Sequence, residues 1–375
     1  MANGEPSSSG TADGPEADRS IAEKPLGPSG IAQFIKHDRC PRFLKQRFDP
    51  GSEPDAREWR EAFNVMNPAL LGSGQEFEAE QVEALAANAS KVIAPEYDDD
   101  SGAGVPAIDI DETWATSSQG RSDQLQAAVE EVETLPTDTD KSSYILCYQA
   151  PLDGKVGDQA ISGQVDCLVL APAAATERGE QPAVTDPTTT NVNSAADDTT
   201  GSSTSESPAT QPHSTASGAS VAIRVLEIKS ARKRKPAHHV QVSIYSALLE
   251  QTLNTEVPSC RIETSIHTQE TAVEPGEPLD PFALPTFSRY QWEFVVERLL
   301  SADGPIDKIL STDLDELPFS IDRVCNNCAY QEACATRAVE DPTEPASLSL
   351  LGLGPSVKDR LQEAGVTDIR ELSEL

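Results

Sequence analysis

From residue 171 to residue 220 the chain has no aromatic, Leu, Ile or Met residue and is rich in Ala, Thr, Ser and Pro. Ordering the backbone costs about 1–2 kcal/mol per residue, and such a stretch has too little apolar surface to offset that cost. It is expected to be a disordered, low-complexity insertion. The segments on either side are of another kind. Ile161 to Leu170 (ISGQVDCLVL) and Val221 to Ile228 (VAIRVLEI) are rich in β-branched residues and read as strands. If the insertion is an expanded hairpin loop, these strands are neighbours. Asp166 then comes near Glu227, although sixty residues lie between them.

The rest of the chain follows from periodicity and turn residues. Residues 1–28 are Gly-, Ser-, Pro- and Glu-rich and read as a disordered tail, with order beginning at Ile31. Glu53 to Asn67 reads as a helix carrying Trp59, Phe63 and Met66 on one face. A Gly-Ser-Gly turn at 72–74 precedes a second helix, Gln75 to Val92, and residues 96–112 read as an acidic loop. Gln124 to Leu135 reads as a helix. Tyr144 to Gln149 reads as a strand, with a turn at Asp153-Gly154 leading to Ile161–Leu170. Beyond the insertion and Val221–Ile228 come a helix from His239 to Leu253, a strand from Ser259 to His267 and a helix from Phe287 to Leu300. Asp322 to Ala338 holds a cysteine cluster, and 346–375 reads as short helices around a Gly-Leu-Gly turn.

Charge narrows the function classes. The formal net charge is -33, from 29 Lys+Arg against 62 Asp+Glu. At ~1 M salt the Debye length is about 3 Å, so self-repulsion of this size is tolerated. The composition points to a high-salt cytoplasm. No apolar run is long enough to span a bilayer, which excludes a membrane role, and the polar, acidic N-terminus is not that of a secretory signal. A polyanion should also repel nucleic acid. The exception is local: residues 229–239 read KSARKRKPAHH, the densest basic cluster in the chain. Arg232, Lys233, Arg234 and Lys235 are suited to phosphate contacts.

Two groups of residues carry chemistry. Glu227 and Lys229 are two apart at a strand end and share a face, with Asp166 across from them in the preceding strand. Carboxylates on one side suit Mg²⁺ or Mn²⁺, which prefer oxygen ligands. A lysine beside them can hold a water or meet developing negative charge. A surface ion pair is the ordinary fate of an isolated Glu-x-Lys, and Asp166 is what raises this one above it. Gln241 and Tyr245, at i and i+4 of the following helix, share a face. Glu78, after Gly74, is a further acid for the same place, with Glu76 and Glu80 as competitors. The second group is cysteine. Cys325, Cys328 and Cys334 are clustered and Cys40 lies near the start of the ordered part. Four thiolates suit a 4Fe–4S cluster or tetrahedral Zn²⁺. Cys147, Cys167 and Cys260 sit in apolar contexts and read as small core residues.

The order Cys40, Gly74-x-x-x-Glu78, Gly163-x-x-Asp166, Glu227-x-Lys229, Gln241-x-x-x-Tyr245 and Cys325/Cys328/Cys334 resembles the RecB-like iron–sulfur branch of the PD-(D/E)xK nucleases. Within that branch it is similar to the CRISPR-associated RecB-like exonucleases and the AddB-type nuclease domains. The resemblance implies an α/β, restriction-endonuclease-like core, a mixed central sheet flanked by helices in the order αβββαβ, over residues 29–334. It implies a Mg²⁺- or Mn²⁺-dependent deoxyribonuclease, a single-strand exonuclease of DNA repair or recombination. Asp166 and Glu227 would be metal ligands and Lys229 the lysine that assists water. Gln241 and Tyr245 would support the site, and Glu78 would stand where the family carries His or Glu. The four cysteines would hold 4Fe–4S and clasp the two ends of the fold. Residues 335–375 resemble an all-α helix–hairpin–helix element, a unit used for DNA backbone binding or for plain packing. Trimming of prespacers in CRISPR adaptation, and a non-catalytic DNA-binding protein on the same fold, are the alternatives.

Overall fold

The computed structural model describes residues 25–48, 68–97, 105–135, 143–176, 220–253, 260–318, 321 and 323–340, with scattered positions from 353 to 373. The expected helix at Glu53–Asn67, the tail to residue 24, residues 177–219 of the insertion and the Gly-Leu-Gly turn (Leu353 apart) lie outside the described residues.

The fold is mixed α/β. Among the described residues, seven strands form one mixed sheet. They are β1 (Lys91–Ala94), β2 (Glu112–Thr113), β3 (Ile145–Val156), β4 (Gln159–Pro172), β5 (Val221–Ile228), β6 (Cys260–His267) and β7 (Thr286–Phe287), in spatial order β2-β1-β3-β4-β5-β6-β7. β3, β4 and β5 form an antiparallel meander, while β1 pairs β3 and β6 pairs β5 in parallel. All eight residues of β5 are buried, as a central strand covered on both faces requires. Even Arg224 is buried there, its guanidinium bonded to Glu263 and to the Pro281 and Leu284 carbonyls.

Helices cover both faces. On one side pack α1 (Pro28–Lys36), α2 (Pro41–Phe48), α4 (Ser118–Val132), α6 (Pro236–Thr252), α7 (Tyr290–Leu300) and α8 (Pro305–Ser311). On the other packs α3 (Pro68–Ala86), with the segment carrying Leu279, Phe282 and Leu284. A four-residue helix, α5 (Ala173–Thr176), follows β4; a 3-10 turn (Arg323–Asn327), α9 (Gln331–Glu340) and α10 (Ile369–Ser373) complete the described elements. Apart from α5, the run α4-β3-β4-β5-α6-β6 has the order αβββαβ. Among the described residues no helix is long and apolar enough to cross a membrane.

Several boundaries differ from the sequence reading. The tail boundary at residue 28 is too late: Leu26 is buried and bridges Ile161, and Pro28 opens α1. The insertion boundary at 171 is too early, because β4 runs to Pro172 and α5 follows. The turn between β3 and β4 is not Asp153-Gly154, which pairs with Ile161 and Ser162 inside the ladder. It is Gly157-Asp158, where Gly157 takes a positive φ of 59°, the position a two-residue hairpin turn reserves for glycine. α3 runs through Gly72 and Gly74, its interior glycines costing about 1 kcal/mol each against burial of Val82 and Leu85. Lys91 and Val92, read as the end of that helix, instead open β1. Short apolar runs are ambiguous between the two, and here pairing with β3 decides.

Candidate active site

The site grows from one step of the sheet register. β4 and β5 pair from Pro172–Val221 to Cys167–Leu226. One residue further, where that ladder ends, stand Asp166 and Glu227. Asp166 sits at a second irregularity. The β3–β4 ladder steps from Tyr148–Cys167 to Ala150–Val165, and Gln149 between them takes a positive φ of 46°. The side-chain alternation changes phase here. Cys147 and Leu168 face the α6 side, as do Ala150 and Val165, while Tyr148 and Cys167 face α3. Local breaks of this kind re-aim side chains beside functional sites. At the end of the β4–β5 ladder the Asp166 carboxylate accepts the Ile228 N–H at 2.7 Å.

Glu227 is fully buried. Its Oε1 accepts from Lys229 Nζ and, at 2.5 Å, from Gln241 Nε2. Its Oε2 is buried without a hydrogen-bond partner among the described residues. Lys229 Nζ also lies 3.6 Å from Asp166 Oδ2, and the Lys229 N–H donates to the His267 carbonyl at 2.9 Å, fixing the chain just past β5. Gln241, on the first turns of α6, also donates to Ser29 Oγ at 3.2 Å. Tyr245, one turn on, donates to the Gln164 carbonyl at 2.6 Å and holds β4 two residues before Asp166. Gly163 permits that approach: a Cβ there would stand 2.7 Å from Pro28 Cδ and 3.2 Å from the Tyr245 ring.

Glu78 enters from α3 on the opposite face. It is turned inward while Glu76 and Glu80 are exposed, which decides among the three. Tyr148 OH donates to Glu78 Oε1 at 3.2 Å. Burial first, then repulsion by Asp166, pushes the Glu78 carboxyl up to about 7, against the pull of Lys229 and Tyr148. The same two causes push Glu227 up to about 8. Burial works against the Lys229 ammonium, but Asp166 and Glu227 more than compensate and hold it protonated. Three acids thus compete for one lysine. That donor set, with an unpartnered buried oxygen on Glu227, fits a hard divalent cation. The sulfur set fits a metal or cluster in a different way. Cys40, Cys325, Cys328 and Cys334 lie near enough to act on one another: burial first, then their mutual proximity, raises Cys328 to about 11 and Cys334 to about 12. The Tyr330 N–H points at Cys328 Sγ at 3.5 Å, a contact that favours thiolate. Among the described residues, no group of three or more His, Cys, Asp or Glu side chains is already arranged to hold an ion. At the acid site the Lys229 ammonium takes the central charged position.

The structure therefore brings together Glu78, Asp166, Glu227, Lys229 and Gln241, with Tyr245 behind them, and gathers the four cysteines elsewhere. Arg232, Lys233 and Lys235 are exposed and Arg234 is half-buried on the loop leaving the site. Cys147 and Cys167 are core residues, as their apolar contexts suggest; Cys260 is half-buried at the start of β6. Tyr148 and Ser29 escape sequence reasoning. The signal for Tyr148 is its strand parity, which sets it on the α3 face beside Leu146; Ser29 has none. No protein family, curated protein or solved structure matches the chain.

Proposed function

We propose that this chain is a divalent-cation-dependent deoxyribonuclease, a single-strand exonuclease of DNA repair or recombination working in a high-salt cytoplasm. The observation that carries the reading is the junction of Asp166, Glu227 and Lys229 at the end of the β4–β5 ladder, with Glu78 facing them. The order αβββαβ around it supports a restriction-endonuclease-like core.

Glu78, Asp166 and Glu227 would hold Mg²⁺ or Mn²⁺, which when bound lowers the pKa of water and offsets phosphate charge. The chain's own residues do the rest. Gln241 keeps Glu227 Oε1 in place, and Tyr245 fixes the backbone before Asp166. Lys229, kept protonated by its carboxylate neighbours, offers a donor to the attacking water or to the negative charge that develops on the phosphate. Arg232 to Lys235 leave the site directly after Lys229 and hold the backbone of the strand. The four cysteines would hold a 4Fe–4S cluster, with Zn²⁺ as the competing occupant, beneath a clasp the protein already makes. Arg42 donates to the Leu317 carbonyl at 3.1 Å, and the Phe43 and Tyr330 rings meet edge-on at 5.8 Å. The helix–hairpin–helix reading of 335–375 belongs to the same proposal, as a second backbone contact.

The test is cleavage of 5′- and 3′-labelled single and double strands by the full-length, cluster-reconstituted protein with Mn²⁺ at high salt. Wild type degrades DNA, and Lys229→Ala loses about 10²-fold or more of the rate. Equal rates would overturn the assignment; binding without cleavage would favour the non-catalytic reading.

A further inference from the structure

Glu78 reaches the site from a helix on the far face of the sheet, so something must set the height of that helix. His267 ends β6 and is fully buried; Gln81, one turn beyond Glu78 on α3, is nearly so. His267 Nε2 lies 2.8 Å from Gln81 Oε1. The orientation of the amide is fixed independently. Val273 N–H donates to Gln81 Oε1 at 3.2 Å, and the Val273 carbonyl accepts from Gln81 Nε2 at 3.4 Å. Oε1 is therefore an acceptor, and His267 Nε2 must carry the proton and donate. Burial keeps the ring neutral, so Nδ1 is free to accept from the Thr271 hydroxyl, 2.9 Å away. Thr271 Oγ1 in turn takes the Thr268 N–H at 3.0 Å. Phe77, the residue before Glu78, stacks on the His267 ring at 6.1 Å and 15°. The backbone carbonyl of the same histidine receives the Lys229 N–H. One residue thus touches both arms of the site, Lys229 through its main chain and the Glu78 turn through its side chain.

We propose that His267 and Gln81 form a clamp that sets Glu78 against Asp166 and Glu227, and are positioning residues for divalent-cation binding at the proposed nuclease site. The inference rests on that reading of the site. Neither residue touches the reacting atoms. Their role is to spend the buried hydrogen bonds of β6 on the register of α3, much as the partners of a metal ligand fix its orientation.

An asparagine amide reaches the Nδ1 position of a histidine and a glutamine amide reaches Nε2. His267→Asn therefore keeps the Thr271 turn and cuts the link to Gln81, whereas His267→Gln keeps the link. The measurement is Mn²⁺ affinity by titration calorimetry on the full-length protein, with hydrogen exchange of the α3 amides in parallel. His267→Asn weakens Mn²⁺ binding by about tenfold, within the range typical of lost ligand-orienting contacts, and speeds exchange around residues 77–81; His267→Gln does neither. In a Glu78→Gln background His267→Asn has no further effect on Mn²⁺, because the clamp acts through Glu78. An equal loss in both backgrounds, or unchanged Mn²⁺ affinity in His267→Asn where Glu78→Gln alone weakens it, overturns the clamp and leaves the nuclease reading standing. A wild-type protein that binds no Mn²⁺ but cleaves nothing either overturns the reading of the site and the clamp with it.

Discussion

The acid site and the cysteine site are both built from residues far apart in sequence, but by opposite means. Asp166 and Glu227 meet because a sheet ladder counts them into place, and their neighbours are strands and a helix buried on both sides. Cys40 meets Cys325, Cys328 and Cys334 through a turn between two short helices, a 3-10 turn and α9. The charge accounts differ as well. At the acid site a lysine already answers two of the carboxylates. At the cysteine site burial favours neutral thiols, and Arg42 is the cation that acts against it at Cys334. The acid site already carries its own counter-charge, whereas under the proposed reading a bound metal or cluster would turn the four thiols into thiolate ligands. Removing a residue from the first should therefore cost function, and from the second, stability.

Asp166→Asn gives the largest effect and tests that contrast most directly. The amide oxygen can still accept the Ile228 N–H, so the fold is kept. Cleavage falls by about 10²–10⁴-fold, the scale of losing one group of a catalytic set, while the melting temperature stays nearly unchanged. A large drop in melting temperature would mean that the acid site is itself a structural element, and the contrast would break.

Cys334→Ser comes next and should behave in reverse. Visible absorbance from a bound iron–sulfur cluster disappears, and the melting temperature falls by about 10 °C, roughly 3–4 kcal/mol for a domain of this size. Cleavage per folded molecule at low temperature changes little. A colourless wild-type protein with stoichiometric zinc would correct the cofactor and keep the contrast; no metal at all, with Cys334→Ser as stable as wild type, would remove it.

How much of each site the sequence discloses follows from the same difference. The approach of Asp166 to Glu227 is legible because the composition changes abruptly between about 171 and 220, and the β-branched segments on either side read as strands that can pair. The phase change at Gln149 and Asp166 is not legible, since β3 and β4 carry continuous apolar runs (ILCY and CLVL) beside it that hide the two-residue period, and the backbone of Gln149 marks it only in three dimensions. The hairpin turn is misplaced because Asp153-Gly154 is the stronger turn dipeptide, yet Gly154 lies against Gln251 of α6 inside the ladder. Pairing with β3 likewise overrides the helical periodicity that runs into β1. The start of α6 was readable at Pro236, whose ring presets the first turn, three residues ahead of the expected His239.

Acidity sharpens the contrast from another side. Glu227, raised to about 8, and Glu78, raised to about 7, both lie above the ordinary 4.5. The folded state then binds more protons than the unfolded chain between about pH 4.5 and 8. These two groups contribute stability that is full below 4.5 and is lost as pH rises through 7 to 8. Asp166, Lys229, Tyr97, Tyr148, Cys167 and Tyr245 are the charged or titratable groups that face them among the described residues. Denaturation in the presence of a divalent-cation chelator should give falling stability over that window, with a shallower slope in Glu227→Gln. A slope of the opposite sign would show that Lys229 holds both acids ionised without a cation.

The smallest expected effect separates a support from a contact within the acid site. Tyr245→Phe removes one hydroxyl from a position that is otherwise buried. The Gln164 carbonyl loses its donor from that side, a cost of about 1–2 kcal/mol for a buried acceptor left unsatisfied. Gly163 lies against the same ring, so phenylalanine keeps the packing that the glycine was needed to admit. Stability should fall by that amount, and cleavage by less than about tenfold, since the loss reaches Asp166 only through two residues of strand. If cleavage instead falls as far as in Asp166→Asn while stability holds, the Tyr245 hydroxyl turns from Gln164 to the substrate during reaction, and Tyr245 belongs with Lys229 rather than with Gln241.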